Sequence, residues 1–150
     1  GEKEVASSCD KYFIIRTSWV YSQFGNNFMK TMLRLAQDRT ELNVVSDQIG
    51  TPTNAVDLAN AILEIISNTK QVANYGIYNF SNEGQCSWYD FAKEIFKINK
   101  VNIKINPIPT EAYPTPAKRP KYSVLDKSKI KSTFGITIKN WQEALAQTKI

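Results

Sequence analysis

The fold is decided by the stretch YFIIRTSWVY, residues 12–21. Its first half, Tyr12–Arg16, is a short continuous apolar run, which is typical of a strand buried on both faces of a parallel sheet. Ligand sites of such sheets lie at the carboxyl ends of the strands. The residues that follow, Thr17–Tyr21, are therefore predicted to belong to a site.

Strands and helices are predicted to alternate along the rest of the chain. A helix is expected to begin at Asn27, with Asn26 or Asn27 as its cap, and to end near residues 38–40. The other predicted elements are a strand at 42–45, a loop at 47–54, a helix capped by Asn54 with Asp57, a strand at 76–80 and a helix capped by Ser87 with Asp90. This alternation indicates an α/β layer fold.

The helix after Asn54 carries apolar residues at helical spacing, and these predict its buried stripe: Ala55, Ala59, Ile62, Leu63 and Ile66. Five of the six prolines fall at residues 107–120, which predicts a loop that could act as a lid or substrate clamp. Two short helices are expected to close the chain, at roughly 126–133 and, with Asn140 as its cap, at 141–148.

The composition excludes several classes of chemistry. There is no histidine, which removes Ser-His-Asp and Cys-His arrangements and histidine-bound zinc. Cys9 and Cys86 have no CxxC spacing, so neither a disulfide framework nor a metal site is expected. Apolar runs fall far short of the roughly 20 residues that span a bilayer, and no signal segment opens the sequence. We therefore expect a soluble, cytoplasmic protein with no membrane partner.

The charge is uneven along the chain. Residues 93–150 hold 12 Lys or Arg against 4 acidic residues, which indicates either an anionic partner or a solvated basic face. No zinc-finger, RNP-like or helix-turn-helix signal accompanies this charge. A nucleic-acid partner is therefore not expected.

Motifs for binding a dinucleotide are missing from the sequence. Neither GxGxxG nor GxxxxGK[ST] occurs, so the chain cannot by itself form the glycine-rich turn that holds a diphosphate. The opening GEK lacks a methionine and suggests a fragment. Tyr89 and Lys93 have the Tyr-x-x-x-Lys spacing of short-chain reductases, but roughly one such match is expected by chance, and we interpret it as a decoy.

Five blocks of sequence together resemble one family: RTSWVY at 16–21, NNF at 26–28, DQIGTPT at 47–53, SWYDFA at 87–92 and AKRP at 117–120. In order and spacing they resemble the carboxyl-terminal half of the dTDP-4-dehydrorhamnose reductases, a branch of the extended short-chain dehydrogenases/reductases. The resemblance covers essentially all 150 residues. It implies the end of a doubly wound Rossmann-like parallel sheet plus a smaller α/β substrate-binding lobe.

The resemblance also implies a reaction. Hydride passes from NADPH or NADH to the C4 ketone of dTDP-4-dehydro-L-rhamnose, and the product, dTDP-L-rhamnose, is a precursor of surface polysaccharides. The family's catalytic Tyr-x-x-x-Lys and its glycine-rich cofactor site would lie before Gly1. No catalytic residue is therefore expected in this chain, its cofactor contacts stay unassigned, and the chain alone is expected to be inactive.

Seven residues are carried over as candidate ligands of the dTDP-sugar: Trp19, Asn27, Phe28, Gln48, Thr51, Thr53 and Arg119. Trp19 matches a substrate-contacting tryptophan of the family, and the guanidinium of Arg119 suits a diphosphate. Asn27 could be only a helix cap, and the polar residues at 48–53 could simply hold a turn. Arg16 is expected to pair with a carboxylate and is not included.

The resemblance divides the chain into residues 1–25, the tail of the nucleotide-binding layer, and residues 26–150, a substrate-binding lobe whose strand at 76–80 returns to the sheet. Such a piece should expose an apolar edge or self-associate, so a homo-oligomer is left open. An alternative function is a noncatalytic binding protein similar to the regulatory β subunit of methionine adenosyltransferase. Upstream sequence with an intact glycine-rich turn and Tyr-x-x-x-Lys would favour reduction.

Overall fold

The computed structural model describes residues 1–68 and 74–148. Strands and helices alternate as the sequence predicts. In chain order the elements are α1 (Glu2–Ser8), β1 (Phe13–Arg16), β2 (Val20–Tyr21), α2 (Phe28–Asp38), β3 (Glu41–Val45), β4 (Ile49–Gly50), β5 (Thr53–Asn54), α3 (Ala55–Asn68), β6 (Gly76–Asn79), β7 (Cys86–Ser87), α4 (Trp88–Ile98), β8 (Lys104–Ile108), a 3-10 turn (Thr110–Ala112), α5 (Ser128–Phe134) and α6 (Trp141–Ala146).

The strands form pairs, most of them parallel. β1 lies parallel to β6 in the register Phe13 to Gly76, and β3 lies parallel to β8 in the register Glu41 to Lys104. β2 pairs with β5 in parallel, whereas β4 and β7 are antiparallel. The strands expected at 12–16, 42–45 and 76–80 are thus confirmed. The mixed architecture with parallel pairs confirms the Rossmann-like α/β class.

One hydrophobic core lies around the β1–β6 pair, between α3 and α5. Tyr78 and Phe80 pack there against Ile130 and Phe134. A second core joins α2, α4 and α6, and its fully buried members include Met29, Phe91 and Ile95. Helix α4 packs against α2, β3 and α6, so its amino terminus, where the candidate site begins, has a fixed position in the fold.

The predicted buried stripe of α3 is wrong. Ala61 and Ile65 are the buried residues, with Leu58 partly buried beside them, whereas Leu63 and Ile66 are 62% and 58% exposed. The other members of the predicted stripe are partly buried or exposed: Ala55, Ala59 and Ile62. The helix is apolar on more than one face, so periodicity alone cannot choose the face that meets the sheet.

The predicted cap residues are confirmed, except that the Asp57 side chain takes no part in the cap at Asn54, because its carboxylate accepts hydrogen bonds from Asn82 and Lys139 instead. Asn27 caps α2, Asn140 caps α6, and Ser87 forms a reciprocal capping box with Asp90 at the start of α4. The oxygen of the Asn54 side chain accepts hydrogen bonds from the backbone N–H groups of the first turn of α3. These contacts satisfy amide groups that have no partner inside the helix, which is why short polar side chains recur at these positions.

Two parts of the chain differ from the prediction. The predicted proline-rich loop, 107–120, begins two residues later than expected, because residues 107 and 108 belong to β8 and Pro107 lies opposite Val44. A proline is tolerated in a strand at the edge of a sheet, where its missing N–H costs no ladder hydrogen bond. The loop at 47–54 contains the two-residue strands β4 and β5. The remaining prolines after Pro107 lie in irregular chain, as expected.

Candidate functional site

Trp19 lies in the turn between β1 and β2, in an unusual backbone conformation. Its φ is 47°, in the left-handed region that bulky residues seldom adopt. The carbonyl of Trp19 accepts a hydrogen bond of 3.1 Å from the backbone N–H of Thr53. The hydroxyl of Ser18 donates to the carbonyl of Thr51 over 2.9 Å. The turn that presents the indole is therefore tied to the segment 51–53.

Thr51 and Thr53 are fully buried, at 0% exposure, beneath this turn. The hydroxyl of Thr53 donates to the carbonyl of Ser18 over 2.6 Å, and the hydroxyl of Thr51 donates to the carbonyl of Gly84 over 2.8 Å. The Thr53 side chain thus holds the backbone that precedes Trp19, whereas the Thr51 side chain ties its own segment to Gly84. Their assignment as direct substrate ligands stays a prediction.

The indole of Trp19 stacks on that of Trp88, the first residue of α4. The ring centroids are 3.6 Å apart and the planes differ by 15°. Trp88 in turn packs against Phe28, with 4.6 Å between centroids. We call these three residues the aromatic stack. It unites two predicted site residues with Trp88, which sequence reasoning treated only as part of a packing helix.

Asn27 caps α2 with all the polar atoms of its side chain. The oxygen accepts a hydrogen bond from the Lys30 N–H over 3.1 Å, and the amide nitrogen donates to the carbonyl of Ser22 over 2.8 Å. These contacts account fully for an asparagine at this position. A contact between Asn27 and a nucleotide stays a prediction.

The proline-rich loop, residues 109–120, is attached at both ends to residues 47–49. At its start, the Asp47 carboxylate accepts hydrogen bonds from the Thr110 N–H and hydroxyl, over 2.9 and 2.7 Å, and the Gln48 amide donates to the same hydroxyl over 3.1 Å. At its end, the Ile49 N–H donates to the carbonyl of Lys121 over 2.8 Å. Gln48 therefore lies at the foot of the loop.

The hydrogen bonds from Thr110 hold the pKa of the Asp47 carboxyl below its ordinary value of 3.8. A depressed carboxyl pKa stabilises the fold above the unfolded-state pKa, and that contribution disappears as the pH falls through the folded-state pKa. We therefore expect Asp47→Ala to lower the melting temperature at about pH 7, with the deficit shrinking below about pH 4. Thermal melts over this pH range check the expectation, with Asp10→Asn as the exposed control. A deficit that stays constant down to the acid limit would contradict it.

Arg119 lies in the proline-rich loop, where residues 111–120 are all exposed. Within residues 1–68 and 74–148 its guanidinium forms no ion pair, and the loop also carries Lys118. Lys121, two residues on, is hydrogen-bonded to Ile49, next to the Gly50 that touches Trp19. The end of the loop is thus joined to the segment that supports the aromatic stack.

Two buried titratable side chains lie near this region, Tyr21 and Cys86. Burial raises the pKa of the Tyr21 phenol to about 12, and burial likewise raises the pKa of the Cys86 thiol to about 12. Both therefore stay protonated at neutral pH. Arg16 is committed to an ion pair with Glu2, as expected, with 2.8 Å between Nε and Oε1. The arrangement is suited to binding and positioning rather than to acid–base chemistry.

Two further structural features are absent from the described part of the chain. No group of three His, Cys, Asp or Glu side chains within residues 1–68 and 74–148 is arranged to hold a metal ion. No helix in these ranges is both long and apolar enough to cross a bilayer.

The chain is similar to solved and curated proteins of one kind. A dTDP-4-dehydrorhamnose reductase of Aggregatibacter actinomycetemcomitans is 45% identical over 153 residues, covering 97% of this chain and 52% of the relative. The crystal structure of a dTDP-4-dehydrorhamnose reductase orthologue from Clostridium acetobutylicum superposes with a TM-score of 0.91 at 46% identity, covering 97% of this chain and 50% of that one. A Bacillus anthracis reductase solved in complex with NADP gives a TM-score of 0.89 at 41% identity, with coverage of 97% and 50%.

These structures place the chain in the Rossmann-like class of α/β proteins related to short-chain dehydrogenases/reductases. Within that class, the model of the RmlD substrate binding domain matches residues 1–149, and the chain belongs to this family. The chain spans about half the length of the curated relatives it matches.

Proposed function

We propose that this chain is the carboxyl-terminal, substrate-binding part of a reductase that converts dTDP-4-dehydro-L-rhamnose to dTDP-L-rhamnose for surface-polysaccharide synthesis. The observation that carries the proposal is the family match over residues 1–149. The names of the relatives support a reductase over a noncatalytic regulatory subunit. The seven candidate residues around the turn of Trp19, the start of α2 and the proline-rich loop would bind the dTDP-sugar.

The hydride would come from NADPH or NADH, for whose diphosphate this chain carries no glycine-rich turn. The cofactor would therefore be held mainly by residues outside the chain. The contribution of the chain would be to orient the sugar and exclude water. Such positioning can supply a large part of a rate enhancement without any acid or base.

We also propose that the two parts of the chain have different tasks. Residues 1–25 would complete the nucleotide-binding layer, and residues 26–150 would form the substrate-binding lobe. The parallel pairing of β1 with β6 supports the return of the 76–80 strand to that layer. Hydrogen exchange on the intact protein with and without dTDP-rhamnose would test the division, because protection by the ligand should then concentrate after residue 26 and, before that residue, only at the Trp19 turn.

Trp19→Ala should weaken binding of dTDP-rhamnose about tenfold, because an indole that packs on a sugar contributes buried apolar area. Titration calorimetry on the intact protein that carries this chain measures the effect. Phe24→Ala is the control, since Phe24 is an aromatic residue that is 72% exposed. Saturable binding that Trp19→Ala weakens and Phe24→Ala preserves supports the proposal. A wild-type protein that binds no dTDP-rhamnose contradicts it.

A further inference from the structure

The indole ring of Trp88 covers one face of the indole ring of Trp19. The two indole rings are nearly parallel, with 3.6 Å between centroids. Two rings in such contact each bury the apolar face that they share. One face of the Trp19 ring is therefore covered by protein, and the ring can offer only its remaining surface to a ligand.

Gly50 lies directly against another part of the same Trp19 ring. A Cβ atom at residue 50 would lie 2.6 Å from Cζ2 of Trp19 and 2.7 Å from Cε2. Such distances are well inside van der Waals contact, so any larger residue would displace the indole. The glycine is buried and has an ordinary backbone conformation, hence close approach of the ring, rather than backbone freedom, explains why glycine fits here.

Trp88 is itself fixed by its place in the fold. It opens α4 directly after the Ser87–Asp90 capping box, and its ring packs against Phe28 at the start of α2. Phe28 stacks in turn on the fully buried Phe91, with 5.6 Å between centroids. A continuous series of aromatic contacts thus connects Phe91, in the core that joins α2, α4 and α6, to Trp19.

The left-handed backbone conformation of Trp19 is further evidence that surrounding contacts hold this residue in place. Strained conformations of this kind persist only where surrounding contacts hold them. Here the carbonyl of Trp19 is bound by the Thr53 N–H, and the ring is bound by Trp88 and Gly50. Both ends of the residue are therefore held before any ligand arrives.

We propose that Trp88 and Gly50 are positioning residues that hold the indole of Trp19 in the orientation that receives the sugar of the substrate. This inference rests on the proposed function, because it assumes that Trp19 meets the sugar. A ring held in advance loses little conformational entropy on binding, so the gain is expected in substrate affinity. Neither Trp88 nor Gly50 is proposed to contact the reacting atoms.

The stack can be tested without substrate. Two indoles in close contact couple their electronic transitions and give a paired positive and negative band in far-ultraviolet circular dichroism. The chain has three tryptophans, so each one can be replaced in turn by phenylalanine. The couplet should vanish in Trp19→Phe and Trp88→Phe and persist in Trp141→Phe, a matched change in the same core. A couplet that survives Trp88→Phe would show that it does not arise from contact between Trp19 and Trp88, and would overturn the inference.

The role in positioning is tested by kinetics of the intact protein. Trp88→Leu should raise KM for the dTDP-sugar about tenfold and leave KM for the nicotinamide cofactor unchanged, whereas Trp88→Phe should restore much of the loss. Trp141→Phe should match wild type. A wild-type KM for the sugar in Trp88→Leu would overturn the inference while leaving the proposed function intact. A wild-type protein without any turnover of the dTDP-sugar would overturn both.

Gly50→Ala provides an independent variant in which Trp88 is intact. The added methyl group should raise KM for the dTDP-sugar by displacing the Trp19 ring, again about tenfold. In a Trp19→Ala background the two closest contacts of the added Cβ are gone and only the Ser123 hydroxyl, at 3.0 Å, stays near it, so Gly50→Ala should then have a much smaller effect. Equal effects of Gly50→Ala in the two backgrounds would show that it acts elsewhere, and would overturn the inference.

Discussion

Phe91→Ala is expected to lower the free energy of unfolding by about 3–5 kcal/mol, which is a large fraction of the stability of an ordinary domain. Phe91 is 0% exposed and packs against Tyr21, Phe28 and Trp141, with ring centroids 5.3, 5.6 and 5.9 Å away. Truncation removes apolar contacts and leaves a cavity that rigid aromatic neighbours cannot easily fill. Urea denaturation measures the change.

Phe24→Ala is the matched control for this experiment, because the Phe24 ring is 72% exposed. It should change the free energy of unfolding by no more than about 0.5 kcal/mol. Phe91→Leu should fall between the two, since a branched aliphatic side chain fills part of the space. Equal effects of Phe24→Ala and Phe91→Ala would contradict the assignment of Phe91 to the centre of the second core.

Arg119→Ala is expected to weaken binding of dTDP by about 10- to 100-fold, because the guanidinium is proposed to bind the diphosphate through charge-assisted hydrogen bonds. The side chain is exposed and forms no ion pair with the described residues, so its charge is available to a ligand. Thymidine, which lacks the diphosphate, should bind wild type and variant equally. Titration calorimetry with the two ligands compares them directly.

Lys118→Ala is the matched control for Arg119→Ala, because it removes a neighbouring positive charge from the same exposed loop. If the loop attracts dTDP only by its overall charge, the two variants should lose the same affinity for dTDP. If Arg119 contacts the diphosphate, Arg119→Ala should lose much more affinity than Lys118→Ala. Arg119→Lys should recover only part of the affinity, since an ammonium group cannot form the paired hydrogen bonds of a guanidinium. Equal losses for dTDP and thymidine would contradict a diphosphate contact.

Features encoded by neighbouring residues were predictable from the sequence. The caps at Asn27, Ser87 and Asn140 were found because a short polar side chain before an apolar helix has one strong local use. The strand Phe13–Arg16 was found because a compact run of β-branched and aromatic residues favours a buried strand. The ion pair of Arg16 was anticipated as a type of contact, although its partner, Glu2, was not.

Features that depend on tertiary contacts were not predictable. β4, β5 and β7 have two residues each, too few for any periodicity, and β8 contains a proline that argues against a strand. Which face of α3 is buried depends on where β1 and β6 lie relative to it. The contact of Trp88 with Trp19 joins residues far apart in sequence, and the only local signal was a tryptophan directly after a helix cap.

The attachment of the proline-rich loop to three consecutive residues, 47–49, has a consequence for how such a protein can change over evolutionary time. Because Thr110 and Lys121 are both held at this one short segment, the loop between them begins and ends at a fixed base. Doubling the length of a flexible loop closed in this way costs only about 0.6 kcal/mol of closure entropy. The loop can therefore diverge in length and chemistry while both cores remain unchanged.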